Sequence, residues 1–228
     1  IAAQFYGRPA DKLHCVGVTG TNGKSTTAQI LYEVLEDQKY DVRLIGNIGN
    51  PALSEKKITK QTIFVIEASS YQLEYSQIFS SKYAAILNIA PDHIERHKNL
   101  KNYITAKFKL LVSQPNNATA FINKNDPLIT KKINSNNLKQ KIIKIDSKKN
   151  NKIYNQIKNE YFLSSGNKEN LSFVLKILKI FKLNNKILLK TLNKFKGLKY
   201  RQQIIFKNKN LTIINDSKST SFASSENL

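Results

Sequence analysis

The stretch Cys15-Val16-Gly17-Val18-Thr19-Gly20-Thr21-Asn22-Gly23-Lys24-Ser25 constrains this chain more than any other. An apolar run that reads as a buried strand enters a turn with two glycines, and Ile30, Leu31, Val34 and Leu35 then recur at helical spacing. A strand that ends in a glycine-rich turn and restarts as a helix leaves several backbone N–H groups aimed at one point. The positive end of the helix dipole falls at that same point, so the turn reads as a phosphate cradle. Lys24 adds a mobile charge for the β- and γ-phosphates of a nucleotide, and Ser25 a hydroxyl for Mg²⁺. Gly20, Thr21, Asn22, Gly23 and Thr26 are the other nucleotide contacts expected here. The general pattern asks for glycine at position 18, where this chain carries Val18.

At 228 residues the chain is long enough for one large domain and a piece of another. Its formal net charge of +21 would ordinarily point to nucleic acid or an anionic membrane. The charge is mostly lysine dispersed among asparagine, however, as in Lys148-Lys149-Asn150-Asn151-Lys152, without interleaved aromatics. Such segments read as solvated loops, so neither nucleic acid nor a membrane is the expected partner. The single cysteine, Cys15, lies in the apolar strand and reads as a core residue of a protein from a reducing compartment. No apolar run has the length of a membrane span and the N-terminus shows no signal pattern, so the expected location is cytoplasmic.

Read in order, residues 1–13 are expected to be a connector, which leaves no room for an upstream domain within them. Short strands are expected at Val42 to Ile45, Ile63 to Ile66, Tyr83 to Ile89, Thr119 to Ile122 and Lys141 to Ile145, alternating with helices from Leu100 to Val112 and Asp126 to Ile133. This alternation defines a doubly wound, mostly parallel α/β sheet carrying the phosphate loop, over residues 14–199. Glu67 ends a continuous apolar run, where a carboxylate is costly unless it meets a cation such as Mg²⁺ on Ser25. His93 lies beside Asp92 just past a strand end, which favours contact with metal or phosphate; His97 reads as a surface residue. Winding the helix at 3.6 residues per turn puts Lys107 on the inward face with Ile104, Phe108 and Leu111, and Lys109 on the opposite face. Residues 148–160 read as loop or edge strand, and an amphipathic helix on Leu171, Val174, Leu175 and Leu178 follows. A helix from Lys186 to Phe195 and a strand from Leu211 to Ile214 complete the pattern, residues 200–228 being the opening strands of a second α/β domain.

Six motifs carry a family resemblance: Gly-Thr-Asn-Gly-Lys-Ser of the loop, Glu67-Ala68-Ser69-Ser70-Tyr71-Gln72-Leu73-Glu74, Asp92-His93-Ile94-Glu95-Arg96, Asn167-x-x-Asn170, Gly197-Leu198-Lys199-Tyr200-Arg201 and Asn215-Asp216-Ser217-Lys218-Ser219-Thr220. Together they resemble the Mur ligases, and most closely the branch that adds D-glutamate. Residues 3–24 are nearer to the connector of the branch that adds a diamino acid. Gly166 and Tyr200 stand where the family carries histidine.

The resemblance implies an ATP-dependent ligase that joins D-glutamate to UDP-N-acetylmuramoyl-L-alanine through an acyl phosphate in peptidoglycan precursor synthesis. Another Mur ligase or a folylpolyglutamate synthase is the alternative, and a basic P-loop ATPase that binds nucleic acid a remote one. The implied catalytic residues are Lys24, His93 and Lys107. One Mg²⁺ would be held by Ser25 and Glu67 and a second near His93 and Lys107, with Lys107 carried as a carbamate. Asn167, Asn170, Arg201 and Asp216 would contact the nucleotide, and Asn47, Ser69, Lys218 and Thr220 the acyl substrate. The resemblance further implies that the family's N-terminal domain and most of its C-terminal domain fall outside residues 1–228, and that the protein is a monomer.

Overall fold

In the computed structural model, residues 13–76, 79–149 and 153–219 are described. Six strands form one sheet: β1 (His14–Thr19), β2 (Val42–Gly46), β3 (Ile63–Glu67), β4 (Tyr83–Ile86), β5 (Thr119–Asn123) and β6 (Lys141–Ile145), in the order β2-β3-β1-β4-β5-β6. Every pairing in it is parallel, which confirms the doubly wound α/β expectation. The helices are α1 (Lys24–Asp37), α2 (Ser70–Tyr75), α3 (Ile94–His97), α4 (Leu100–Val112), α5 (Pro127–Asn134), α6 (Ser165–Leu178) and α7 (Asn185–Lys194). Among the described residues no helix is long and apolar enough to cross a membrane.

The alternation of side chains along each strand splits the core in two. Val16, Val18, Ala85, Leu87 and Phe121 face α1, α6 and α7, whose Leu31, Val34, Val174, Ile177 and Leu192 fill that side. Ala84, Ile86, Ala120 and Ile122 face the other way, onto Tyr103, Phe108 and Leu111 of α4 and Ile129 of α5. Parallel strands buried on both faces must be apolar at successive positions, and the strand sequences are.

Strand β1 has β3 on one side and β4 on the other, so the chain reverses its direction of winding there. Open α/β sheets bind ligands in the crevice outside the carboxyl ends of the strands at such a switch point. The phosphate loop leaves β1 at that place.

One of these expectations needs correction. The strand expected to run to Ile89 ends at Ile86, because Leu87 and the residues after it turn to pack on the loop: Thr21 N–H donates to the Asn88 carbonyl at 2.9 Å. Of the two alternatives for residues 148–160, loop is what the described residues form, with short 3-10 turns at Tyr154–Gln156 and Glu160–Phe162, each closed by local hydrogen bonds. After α7, strands β7 (Gln203–Lys207) and β8 (Thr212–Asn215) pair antiparallel as a separate two-stranded sheet, in the segment where opening strands were expected. Most of the expected connector, residues 1–12, lies outside the described residues.

Candidate functional site

The crevice at the switch point holds a cavity of about 790 Å³. Its walls bring together Thr21, Asn22, Gly23, Lys24 and Thr26 of the loop and α1, Asn47, Glu67 and Ser69 from the β2 and β3 ends, and His93 and Lys107 from the α3 and α4 side. Asn167 and Asn170 of α6 join them, with Arg201, Asp216 and Lys218 from the last segment. Gly20 and Ser25 belong to the same loop without lining the cavity themselves, and Thr220 lies outside the described residues.

Within the loop the amides divide into two groups. Thr21 N–H donates to the Asn88 carbonyl at 2.9 Å and Asn22 N–H to the Asn88 side-chain oxygen at 2.8 Å, so both are committed to the protein. Helix geometry leaves the N–H groups of Lys24, Ser25 and Thr26 without an intrahelical acceptor, and none finds a backbone acceptor elsewhere among the described residues. These three, with the Gly23 N–H, which likewise has no backbone acceptor among the described residues, are the amides available to an anion. Gly23 caps the helix in the left-handed conformation, φ 78°, without a side-chain cap. A Cβ there would fall 2.0 Å from the Asn170 side-chain oxygen, so the two elements meet in a space only glycine fits.

Lys24 Nζ donates to the Thr21 carbonyl at 2.7 Å, and burial holds its pKa below the usual lysine value against the raising pull of the Glu67 carboxylate. Glu67 is fully buried. One of its oxygens accepts from Asn47 Nδ2 at 3.1 Å, while Oε2 has no hydrogen-bond partner, and neither does the buried hydroxyl of Ser25. Two orphaned buried oxygens, one of them anionic, beside a phosphate cradle are the donor set a hard cation requires. No cluster of three or more acidic, histidine or cysteine side chains could hold a metal alone among the described residues. That suits Mg²⁺, which takes one or two protein groups and completes its shell with phosphate oxygens and water.

Lys107 is 1% exposed and extends inward from α4, as the helical winding predicted. Its Nζ donates to the Gly20 carbonyl at 2.6 Å and lies 4.5 Å from the centre of the Tyr103 ring. Desolvation by burial, seconded by the charge of Lys24, drives its pKa well below the ordinary value. His93 caps α3 at φ 53°, with its ring 3.4 Å from an Asp92 oxygen and against the ring of Tyr71.

His97 corrects the surface reading. It is 2% exposed, Nε2 meets the hydroxyl of Ser70 at 3.0 Å, and its ring stacks on Tyr71 and meets Tyr103 edge-on. A four-residue helix turns its last side chain in between α2 and α4, an orientation that the packing of those two helices decides.

Several other expected contacts have local partners. Ser69 caps α2 in a reciprocal capping box with Gln72. Ser164 caps α6, and Asn167 donates to the Tyr161 carbonyl and to the Gln202 side chain. Asp216 accepts from Gln202 N–H at 3.0 Å, and Lys218 Nζ lies 5.9 Å from the centre of the Tyr200 ring. Sequence reasoning passed over Asn88 and Glu169, which hold the loop from behind. Asn88 sits one residue past the apolar run of β4, the position where a strand-end side chain meets the crevice.

A parallel sheet with a glycine-rich loop at its switch point, a lysine and helix amides facing one cavity, and an orphaned carboxylate opposite define a P-loop α/β domain. The sequence pattern of the Mur ligase middle domain matches residues 18–189, and the chain belongs to the Mur ligase family. Among curated proteins it is 33% identical over 224 residues to the UDP-N-acetylmuramoylalanine--D-glutamate ligase of Clostridioides difficile (strain 630), covering 90% of this chain and 49% of that protein. The enzyme of the same name from Rickettsia felis is 32% identical over 227 residues, covering 91% and 50%. The chain thus spans about half the length of these relatives. Among solved structures, MurF ligase from Thermotoga maritima in complex with ADP superposes with a TM-score of 0.74 at 18% identity, over 98% of this chain and 59% of that one. MurF from Acinetobacter baumannii gives 0.69 at 15% identity, over 96% and 54%.

Proposed function

We propose that this chain is the ATP-handling part of a ligase that joins D-glutamate to UDP-N-acetylmuramoyl-L-alanine. The observation that carries the reading is the pair of orphaned oxygens, Ser25 Oγ and Glu67 Oε2, at the mouth of a loop whose lysine and helix amides face the same cavity. The segment Glu67 to Glu74, and relatives named as D-glutamate ligases at 33% and 32% identity, support the choice of amino acid.

In this reading ATP phosphorylates the carboxylate of the acyl substrate, transferring its γ-phosphoryl group and leaving ADP. The D-glutamate amine then attacks the acyl carbon, phosphate departs and the amine proton passes to solvent. Lys24 and the amides of Lys24 to Thr26 hold the charge that builds on the transferring group; groups already fixed in place need no reorganisation as the barrier is crossed. Ser25 and Glu67 would hold one Mg²⁺, and His93 with the carbamate of Lys107 a second. When bound, such cations neutralise phosphate charge. Asn167, Asn170, Arg201 and Asp216 line the wall where the rest of the nucleotide would lie, and Asn47, Ser69, Lys218 and Thr220 are the proposed acyl-substrate contacts. The protein acts in the cytoplasm, as a monomer, on soluble substrates.

Isothermal titration with Mg-ATP tests the assignment. Binding is expected for the wild type, weakened about a hundredfold or more in Lys24→Ala, because a charge-assisted contact to phosphate is lost from a desolvated site. Equal affinity in the two proteins would overturn it. In a full-length enzyme carrying these residues, with both substrates present, phosphate release should respond to D-glutamate and not to L-lysine or diaminopimelate.

A further inference from the structure

Glu169 lies in the second turn of α6 and lines the wall of the cavity, between the two asparagines that the family motif singles out. Its carboxylate accepts from two side-chain amides: Asn88 Nδ2 at 3.0 Å on one oxygen and Asn123 Nδ2 at 2.9 Å on the other. Asn88 in turn engages both sides of loop residue Asn22, accepting from its N–H at 2.8 Å and donating toward its carbonyl at 3.3 Å. Asn123, at the end of β5, also donates to the Leu87 carbonyl at 3.0 Å, next to Asn88 in sequence.

An asparagine amide has nearly the same shape in its two orientations, which differ only in where the oxygen and nitrogen fall. An ionised carboxylate accepts and cannot donate. Facing Glu169, Asn88 must therefore turn its NH₂ to α6, and its oxygen is left to take the Asn22 N–H. The same argument fixes Asn123. Glu169 thus selects the one amide orientation that holds Asn22, the residue immediately before the helix cap.

We propose that Glu169 is a positioning residue for the phosphate loop: through Asn88 it fixes Asn22, and with it the direction in which Gly23 and the available amides of Lys24 to Thr26 point. This rests on the nucleotide reading above. It makes phosphate affinity depend on a carboxylate that itself carries the wrong sign to attract phosphate.

The test compares Mg-ATP affinity and urea midpoints in wild type, Glu169→Ala, Asn88→Ala and the double variant, together with amide hydrogen exchange of Asn22. Glu169→Ala is expected to weaken Mg-ATP about tenfold or more and to speed exchange at Asn22, since hydrogen bonds to a charged acceptor are lost and the amide is freed to rotate. The double variant should bind no more weakly than Asn88→Ala, because both changes cut one relay. Unchanged or tighter Mg-ATP binding in Glu169→Ala, a lower urea midpoint with affinity and Asn22 exchange intact, or additive losses in the double variant would each overturn the inference while leaving the nucleotide reading in place. A wild type that fails to bind Mg-ATP would instead overturn that reading, and this inference with it.

Discussion

Lys107 and Gly20 are 87 residues apart in sequence, yet the buried Nζ of the one donates a 2.6 Å hydrogen bond to the carbonyl of the other. The lysine best shielded from water in this cavity is thereby tied to the first glycine of the phosphate loop. Burial and the neighbouring charge of Lys24 favour its neutral amine.

A neutral amine can add CO₂, forming an N–C bond and releasing one proton to give an anionic carbamate. We expect a carbamate resonance from ¹³C-bicarbonate in the wild type with Mg-ATP bound, absent in Lys107→Ala. No resonance in the wild type, or one that persists in the variant, would remove the carbamate. Lys107→Glu, which restores an anion, should keep more metal affinity than Lys107→Ala.

Glu67→Gln removes a buried charge that has one orphaned oxygen. In EDTA the variant is expected to be more stable than the wild type by about 1 kcal/mol, or about 2–4 °C in Tm at this chain length. Added Mg²⁺ with ATP should reverse the order, because only the carboxylate gains from the cation. Thermal melts of both proteins in both buffers decide it.

Gly23→Ala places a Cβ in a left-handed backbone and against the Asn170 side chain. The backbone strain alone is about 1–3 kcal/mol. Urea unfolding should show that loss, and Mg-ATP titration a further loss of affinity, since the helix amides turn with the cap. Wild-type values in both measurements would contradict the packing described.

His97 is held below its ordinary pKa of 6.5 chiefly by burial; Glu74 at 3.8 Å pulls the other way, and Arg96, Lys107 and His93 add to the lowering. The unfolded chain therefore binds a proton that the folded chain refuses. This contribution to stability is complete above pH 6.5 and is lost as the pH falls below it. His97→Gln should flatten the pH dependence of the urea midpoint between about pH 7 and about pH 5. An unaltered slope would show that another group dominates.

The strand, turn and helix around Gly20 to Ser25, the parallel sheet and the inward face of α4 were legible in the sequence, because local spacing and period carry them: apolar runs, a glycine pair, a 3.6-residue repeat. Glu67 could be singled out for the same reason, a carboxylate at the end of a buried strand. His97, Asn88 and Glu169 could not be read this way. Each acts through a partner 27 to 81 residues away, and whether a histidine at the end of a short helix faces water or Ser70 depends on how separate elements dock. Likewise the division of the loop amides, with Thr21 and Asn22 spent on Asn88 and those of Gly23 to Thr26 available, is a matter of which carbonyl or amide arrives opposite each N–H. Hydrophobic period is a one-dimensional signal and survives in the chain by itself; hydrogen-bond partnership is directional and short in range, and only the closed tertiary structure brings the second atom to within 3 Å.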